Sequence, residues 1–177
     1  MLEESKCVLC QKEAKVSSAP EKDASFIECD TCGHYLLASP ELFEKSYIEM
    51  PREKRAMFSA YTRNLSEYGE EPPELGDPDL LKEIIAEYEN KKAGEKLKNL
   101  ILYMRKKSPQ FDDIVPIDRE KDYPLTYSLS PQGFTDTINN PFGQNLIKST
   151  ASGLKLTEEG WKLSNELMES GGEEGEQ

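Results

Sequence analysis

The 177-residue chain has only four cysteines and one histidine, His34, and it has no long apolar run. With a single histidine, the sequence offers no Cys–His or Ser–His–Asp catalytic set, and it also lacks a glycine-rich phosphate loop. No stretch approaches the roughly 18 consecutive apolar residues that indicate a membrane helix. These absences predict a protein that is neither an enzyme nor membrane-spanning.

Basic residues are also in the minority. The 34 acidic and 22 basic residues give a formal net charge of −12, which repels nucleic acids and anionic membranes at long range. The acidic start, Met1-Leu2-Glu3-Glu4, lacks the features of a targeting peptide. We therefore expect a soluble, reduced, cytoplasmic protein.

All four cysteines fall into two Cys-x-x-Cys pairs, Cys7/Cys10 and Cys29/Cys32. Their spacer of about 18 residues fits the four-cysteine zinc pattern. A disulfide framework or a thioredoxin-like redox pair would use the same residues, but there is no secretory signal and no βαβ pattern around either pair. The spacing predicts one structural Zn²⁺ per chain, bound by Cys7, Cys10, Cys29 and Cys32.

Four thiolates close the coordination shell, whereas a catalytic zinc keeps one position open for water. His34 follows a complete ligand set and is expected to be a bystander. In the turns after the second cysteine of each pair, Gly33 suits a positive φ, whereas Gln11 predicts a more strained turn.

The predicted fold is α+β and mostly helical, with an N-terminal zinc-ribbon hairpin, a helical middle and a C-terminal winged-helix-like unit. Short strands are expected around Val16 and over 25–28, and Ser39 is expected to cap the first helix. The predicted regions are a zinc ribbon (1–38), a helical segment packed on it (39–69), a linker (70–78), a helical and winged-helix-like domain (79–169) and a disordered acidic tail (170–177).

Two basic surfaces are candidates for contact with an anion or a partner. Arg52, Arg55 and Arg63 fall on one side of a predicted helix, opposite its apolar stripe. A second helix, Lys91–Lys107, carries seven basic residues and one glutamate. A solvated face is the alternative for the arginines, and neutralisation by the preceding acidic block is the alternative for the lysine-rich helix.

The last third predicts an edge strand over 114–117, a helix capped by Ser130, a β-hairpin over 146–156 and a final helix capped by Thr157. This order is that of a winged helix. The helix that would read DNA, from Pro131 to about Asn140, has no lysine or arginine, so the unit is expected to bind DNA poorly.

Three stretches of the sequence resemble motifs of a known protein family. They are the ribbon pattern Cys-x-x-Cys…Cys-x-x-Cys-Gly-x-Tyr, the segment 55–63 (Arg-Ala-Met-Phe-Ser-Ala-Tyr-Thr-Arg) and the segment 154–161 (Leu-Lys-Leu-Thr-Glu-Glu-Gly-Trp). The chain resembles poorly characterised prokaryotic proteins and N-terminal modules, some found beside antiviral defence effectors. The resemblance covers both ends and hardly touches 70–113. It implies a recognition or regulatory module and supplies no catalytic residues.

The sequence thus predicts a zinc-stabilised, non-enzymatic protein-interaction or regulatory module, or an accessory subunit, of a prokaryotic system that the resemblance associates with antiviral defence. The alternative is a nucleic-acid-binding protein of the transcription or RNA-handling kind. A protein partner is expected, and the net charge disfavours nucleic acid.

Overall fold

A five-stranded sheet forms the N-terminal part of the computed structural model, which describes residues 3–76, 78–90 and 93–170. The strand order is β1-β2-β3-β4-β5; the first four strands pair antiparallel, and β5 pairs parallel to β4. The expected ribbon hairpin is therefore the centre of a larger sheet. The strands are β1 (Glu3–Lys6), β2 (Glu13–Ala19), β3 (Ala24–Cys29), β4 (Gly33–Ala38) and β5 (Glu74–Leu75).

One face of β3 and β4 is buried against the helices. Ile27 and Cys29 lie on this face of β3, with Glu28 between them on the other face, and Ile27 lies directly opposite Tyr35 of β4. The turn between β2 and β3 is a 3₁₀ segment (Pro20–Lys22) that ends at Asp23 with φ 47°. The sheet thus presents its apolar face to the helices that follow.

Two helices, α1 (Pro40–Glu49) and α2 (Arg52–Tyr68), follow the sheet. Pro40 begins α1, so Ser39 is at the predicted cap position, but it does not cap the helix through its side chain. Its φ is 37°, and its hydroxyl instead donates to Asp23 Oδ2 at 2.8 Å. Gly69 ends α2 with φ 73°, and its N–H donates to the carbonyl of Ser66.

The segment expected to be a linker, 70–78, contains β5. The carbonyl of Pro73 accepts a hydrogen bond from the N–H of Leu36 at 2.9 Å, and Leu75 is fully buried. These contacts attach the segment to the edge of the sheet. The division of the chain into domains stays a prediction.

Helices and one hairpin form the C-terminal part. Ser130 caps α6 by accepting from the N–H of Gly133 at 3.2 Å, and Thr157 Oγ1 accepts from the N–H of Gly160 at 3.1 Å, so both predicted caps are confirmed. The elements are α3 (Pro78–Asn90), α4 (Ala93–Lys107), α5 (Arg119–Asp122), a 3₁₀ segment (Tyr123–Thr126), α6 (Pro131–Asn139), α7 (Pro141–Leu146), β6 (Ile147–Thr150), β7 (Gly153–Leu156) and α8 (Glu158–Ser170).

The predicted hairpin is confirmed as β6 and β7, whereas the predicted edge strand over 114–117 is reduced to one bridge. Only Val115 pairs, with Leu154, through two backbone hydrogen bonds of 2.8 and 2.9 Å. Pro116 follows directly and has no N–H to extend the pairing. The acidic tail was predicted over 170–177, of which 171–177 lie outside the described residues.

Buried apolar side chains form two clusters. We call the cluster around the sheet, α1, α2 and the start of α3 the first core, and the cluster around α4, α6, the hairpin and α8 the second core. The first core contains three buried cysteines together with Tyr35, Tyr47 and Phe58, whereas the second contains Leu97, Met104 and Phe134. Helix α2 contacts both β4 and the 3₁₀ segment at 123–126, so it connects the two.

Candidate metal centre

The first cysteine pair lies in the loop between β1 and β2. The N–H of Cys7 donates to the carbonyl of Lys12, and the N–H of Gln11 donates to the carbonyl of Cys7, both at 2.8 Å. Gln11 has φ 64°, a left-handed conformation that is costly for a residue with a Cβ. Its side-chain amide donates to the carbonyls of Cys7 (3.2 Å) and Val8 (3.1 Å). These bonds hold the turn in the conformation that the sequence marks as unfavourable.

The second pair lies where β3 passes into β4. Cys29 is the last residue of β3, and Gly33, the first of β4, has φ 75°. A Cβ at Gly33 would also clash with the hydroxyl of Ser66 on α2. Glycine is therefore required both by the backbone conformation and by the close approach of α2 to this turn.

The two turns bring all four thiols together. Their Sγ atoms lie within 4.8 Å of one another, and those of Cys10 and Cys29 are 3.6 Å apart. A tetrahedral ion with sulfur bonds of about 2.3 Å would place its ligands about 3.8 Å apart. Cys7 and Cys32 are fully buried, and Cys10 is partly exposed. The four cysteines are thus positioned to bind one metal ion, as the sequence predicts.

Proximity also perturbs the acidity of the thiols. The hydrogen bond with Cys10 lowers the pKa of Cys29 and that of Cys7, whereas burial raises the pKa of Cys32. The hydrogen bond with Cys29 raises the pKa of Cys10. Four thiols at this separation cannot all ionise unless a cation balances their charge. A bound cation would remove this conflict because it deprotonates its ligands.

Hydroxyl groups contact two of the sulfur atoms. Tyr35 Oη lies 3.1 Å from Cys7 Sγ, and Ser59 Oγ lies 3.1 Å from Cys32 Sγ. A metal-bound thiolate has no proton, so each hydroxyl would act as the donor. Thr62 Oγ1 also donates to the carbonyl of Cys32 at 2.6 Å. These bonds orient the ligands and lower the negative charge on sulfur.

The role of these hydroxyl residues was not predicted. Ser59, Thr62 and Ser66 lie three and four positions apart, so they share one face of α2. Ser66 Oγ accepts from the N–H of His34 at 2.6 Å, which extends this polar stripe along the second turn. The spacing of three hydroxyl residues in an otherwise mixed helix is the signal that could have shown which face covers the cysteines. His34 itself is exposed, with its ring 5.9 Å from the ring of Phe26.

Arg63 lies in the interior, whereas Arg52 on the same side of α2 is exposed. Its Nη2 lies 2.7 Å from Asp122 Oδ1, its Nε lies 2.9 Å from Glu67 Oε1, and its Nη1 donates to the carbonyl of Asp30. Burial alone would lower the pKa of Arg63, but Asp122 and Glu67 outweigh it and the pKa is raised. Arg63 therefore connects the second cysteine turn to the segment before α6.

Arg52 and Arg55 lie together at the start of α2, on the side of the first cysteine turn. They line a cleft that also contains Cys10 and Lys12. Arg52 is exposed, and Arg55 is partly buried. Two of the three predicted anion contacts thus stay together at the surface, close to the four-thiol cluster.

The basic helix predicted over Lys91–Lys107 is α4 from Ala93 onward, and Lys91 lies outside the described residues. Several of its cations lie over aromatic rings of this chain: Arg105 over Trp161 (4.2 Å to the ring centroid), Lys106 over Tyr68 (4.4 Å) and Lys96 over Tyr88 (5.1 Å). Such cation–π contacts use these charges inside the fold. They leave α4 a weaker candidate for a ligand surface than its composition indicates.

Comparisons with protein families, with curated proteins and with solved structures find no match to this chain. Across the described ranges 3–76, 78–90 and 93–170, the structure contains no helix with the length and apolar character needed to cross a membrane.

Proposed function

We propose that the protein is a non-enzymatic interaction or regulatory module whose N-terminal sheet is stabilised by one structural zinc ion. The observation that carries this proposal is the complete set of four converging thiols, three of them buried. A tetrahedral site of four sulfur ligands favours Zn²⁺ or iron over hard cations. The closed ligand set, together with the hydroxyl contacts to Cys7 and Cys32, supports zinc in a structural role.

The ribbon residues would hold the ion, and their role would be architectural. Bound zinc would supply folding free energy by crosslinking the two turns. Tyr35 and Ser59 would fix the orientation of Cys7 and Cys32 from β4 and α2. In this arrangement the ion offers no position to a substrate, so the proposal assigns no reaction to this site.

The C-terminal part is proposed to act as a winged-helix-like docking unit. The order of the elements supports this proposal, because it is the order found in a winged helix: α4, the Val115 bridge, α6, α7, the β6–β7 hairpin and α8. The basic residues of the hairpin are Lys148 and Lys155, and Lys155 forms an ion pair with Asp112 at 2.6 Å. Since α6 carries no basic residue, a protein partner is better supported than DNA.

Nucleic-acid binding is the second candidate. It is favoured by the two arginines, Arg52 and Arg55, that remain at the surface beside Lys12. It is opposed by the net charge of −12 and by the engagement of α4 cations with aromatic rings. The prokaryotic setting and its association with antiviral defence rest on the resemblance alone.

The two candidates are separated by one pair of experiments. Elemental analysis of protein purified without chelator should give one zinc per chain, and replacing zinc with Co²⁺ should give the spectrum of a tetrahedral four-sulfur site. Binding of single- and double-stranded nucleic acid is then titrated over a range of salt concentrations. The proposal expects no salt-dependent binding, whereas a steep negative dependence of log affinity on log salt supports the alternative.

The existence of a protein partner is tested by affinity capture from the native host, followed by reconstitution of the complex from purified components. The proposal expects stoichiometric binding by the zinc-loaded chain and a loss of about tenfold or more in affinity for Cys32→Ser. Ala14→Ser provides a control, because it adds a hydroxyl at a buried ribbon position without removing a ligand. Failure of any captured protein to bind the purified chain would contradict the proposal.

A further inference from the structure

A small cationic cleft lies beside the first cysteine turn, between the start of α2 and the segment leading to α6. Its volume is about 180 Å³, and three cations, Lys12, Arg52 and Arg55, line it. Drug-sized ligands occupy pockets of about 300–1,000 Å³. The cleft is therefore large enough for one small polar group, which could be a free ion or part of a larger ligand.

None of the three cations forms an ion pair with a carboxylate of the described residues, so a ligand would not have to displace such a partner. Glu120 lines the same cleft, but it is its backbone carbonyl that accepts from Lys12 Nζ. Cations of other regions form ion pairs with a carboxylate at 4.0 Å or less: Lys45, Arg63, Lys121 and Lys155.

Arg55 gives a second, independent indication. Its Nε is buried and has no hydrogen-bond partner among the residues that the structure describes. Its Nη1 makes only a long contact, 3.4 Å, to the carbonyl of Ile48. A buried N–H without an acceptor is unfavourable. A change of side-chain rotamer that turns the guanidinium toward the cleft would let a bound acceptor relieve this cost.

Lys12 is fixed in place by groups that do not neutralise it. Its Nζ lies 5.7 Å from the centroid of the Tyr123 ring and donates to the Glu120 carbonyl. Neither contact contributes a formal negative charge, so the single positive charge of Lys12 stays beside the cleft. Leu129 and Pro131 form an apolar wall on the same cleft, which lowers the local dielectric and strengthens charge–charge attraction.

We propose that this cleft binds a phosphate group, held by Lys12, Arg52 and Arg55. A guanidinium group recognises phosphate oxygens through paired hydrogen bonds, and an ammonium group adds a point charge. Three cations match a dianion better than they match a single carboxylate. This inference does not rest on the proposed interaction function, because it concerns a ligand of the chain and not its partner.

The candidate metal centre adjoins this cleft, because Cys10 lines it. Four thiolates around one divalent cation carry two formal negative charges. Glu120 also lines the cleft, so the three cations balance the two thiolate charges and this carboxylate, and a phosphate would compete with them for the same cations. If the cations served only to neutralise the thiolates, phosphate would not bind there, and the two explanations are separable by titration.

The test is an NMR titration of the ¹⁵N-labelled, zinc-loaded full chain with inorganic phosphate at constant ionic strength. The side-chain Nε–Hε resonance of Arg55, assigned by its loss in Arg55→Lys, reports directly on the unpartnered atom. We expect this resonance to shift saturably, with a dissociation constant in the millimolar range or below. Phenyl phosphate is titrated in parallel, and tighter binding by the ester would indicate a phosphate presented by a larger molecule.

Variants then locate the site. Arg52→Gln and Lys12→Gln should each weaken phosphate binding by about tenfold, while Lys148→Gln, which removes the same charge from the distant hairpin, should leave it unchanged. Backbone spectra and zinc content establish that each variant is folded and loaded. The proposal is overturned if Arg55 does not shift, if acetate binds as tightly as phosphate, or if Arg52→Gln and Lys12→Gln alter only the rate of zinc release.

Discussion

The two cores of this protein contrast in what fills them. The first core contains Cys7, Cys29 and Cys32 among its buried residues, and its thiols converge on one point. The second core is filled by aliphatic and aromatic side chains, with Phe134 and Leu97 fully buried. The first core therefore has polar, ionisable groups where the second has hydrocarbon.

This difference implies different sources of stability. Burying apolar side chains stabilises the second core directly. The first core also buries apolar side chains, but its three buried thiols and Cys10 lie so close together that their ionisation is unfavourable until a cation balances it. We infer that the first core depends on its metal ion, whereas the second is stable without one. Helix α2 packs on both cores and is the element through which they are in contact.

The largest expected effect comes from removing a ligand. Cys32→Ser should destabilise the first core by on the order of 5 kcal/mol or more, because metal binding is coupled to folding of the ribbon. Hydrogen exchange should show loss of protection over β1–β4 and retention of protection in α4 and α8. Chelation of the wild-type chain should reproduce this pattern.

The matched control is Ala14→Ser, which places a hydroxyl in the ribbon without removing a sulfur. It should lower the free energy of unfolding much less than Cys32→Ser does. Equal loss of protection in both cores after chelation would contradict the comparison, because the second core would then also depend on the metal. Unchanged protection in both cores would contradict the proposed zinc role.

The reciprocal change targets the second core. Phe134 is fully buried there, and Phe134→Ala should destabilise that core by about 3–5 kcal/mol through lost burial and the resulting cavity. The Co²⁺ spectrum of the four-sulfur site should not change. Leu42→Ala is the control, because Leu42 is 71% exposed and its truncation should lower the free energy of unfolding by less than about 1 kcal/mol.

The sequence predicts the metal centre well because the centre depends on local spacing. Two Cys-x-x-Cys turns, the glycine at Gly33 and the unfavourable turn at Gln11 are all readable without long-range information. The β6–β7 hairpin and the caps at Ser130 and Thr157 are local in the same sense. Each of these predictions agrees with the structure.

What the sequence does not reveal depends on distant contacts. The strand at 74–75 forms because β4 offers it an edge, and nothing within 70–78 indicates that pairing. Arg63 resembles Arg52 and Arg55 on a helical projection, yet Asp122, 59 positions later, draws it into the interior. The hydroxyl stripe of α2 has a visible spacing, but its meaning requires knowing that the cysteines lie beneath it.

A smaller effect tests the connection between the cores. Asp122 pairs with Arg63 at 2.7 Å, with both side chains less than 10% exposed. Asp122→Asn removes one of the two countercharges of this buried guanidinium and leaves Glu67 as the other. We expect the free energy of unfolding to fall by about 3 kcal/mol. Backbone amides where α2 contacts the 3₁₀ segment should exchange their hydrogens faster.

Asp112→Asn offers the exposed counterpart of this change. Asp112 pairs with Lys155 at 2.6 Å, but its side chain is 60% exposed, so its loss should cost no more than about 1 kcal/mol. If the two substitutions have equal effects in denaturant titrations, the buried pair does not hold the cores together.

The smallest effect concerns the hydroxyl contacts to sulfur. Ser59→Ala removes a donor to Cys32 while keeping all four ligands, so it should cost about 1 kcal/mol and accelerate zinc release to a competing chelator. Ser46→Ala, at an exposed position of α1, is the control and should leave release unchanged. Because Phe134→Ala lies in the other core, it should also leave the release rate unchanged at temperatures where α2 stays folded. A release rate that responds to Phe134 as strongly as to Ser59 would show that the metal is retained by global stability and not by the contacts of its own core.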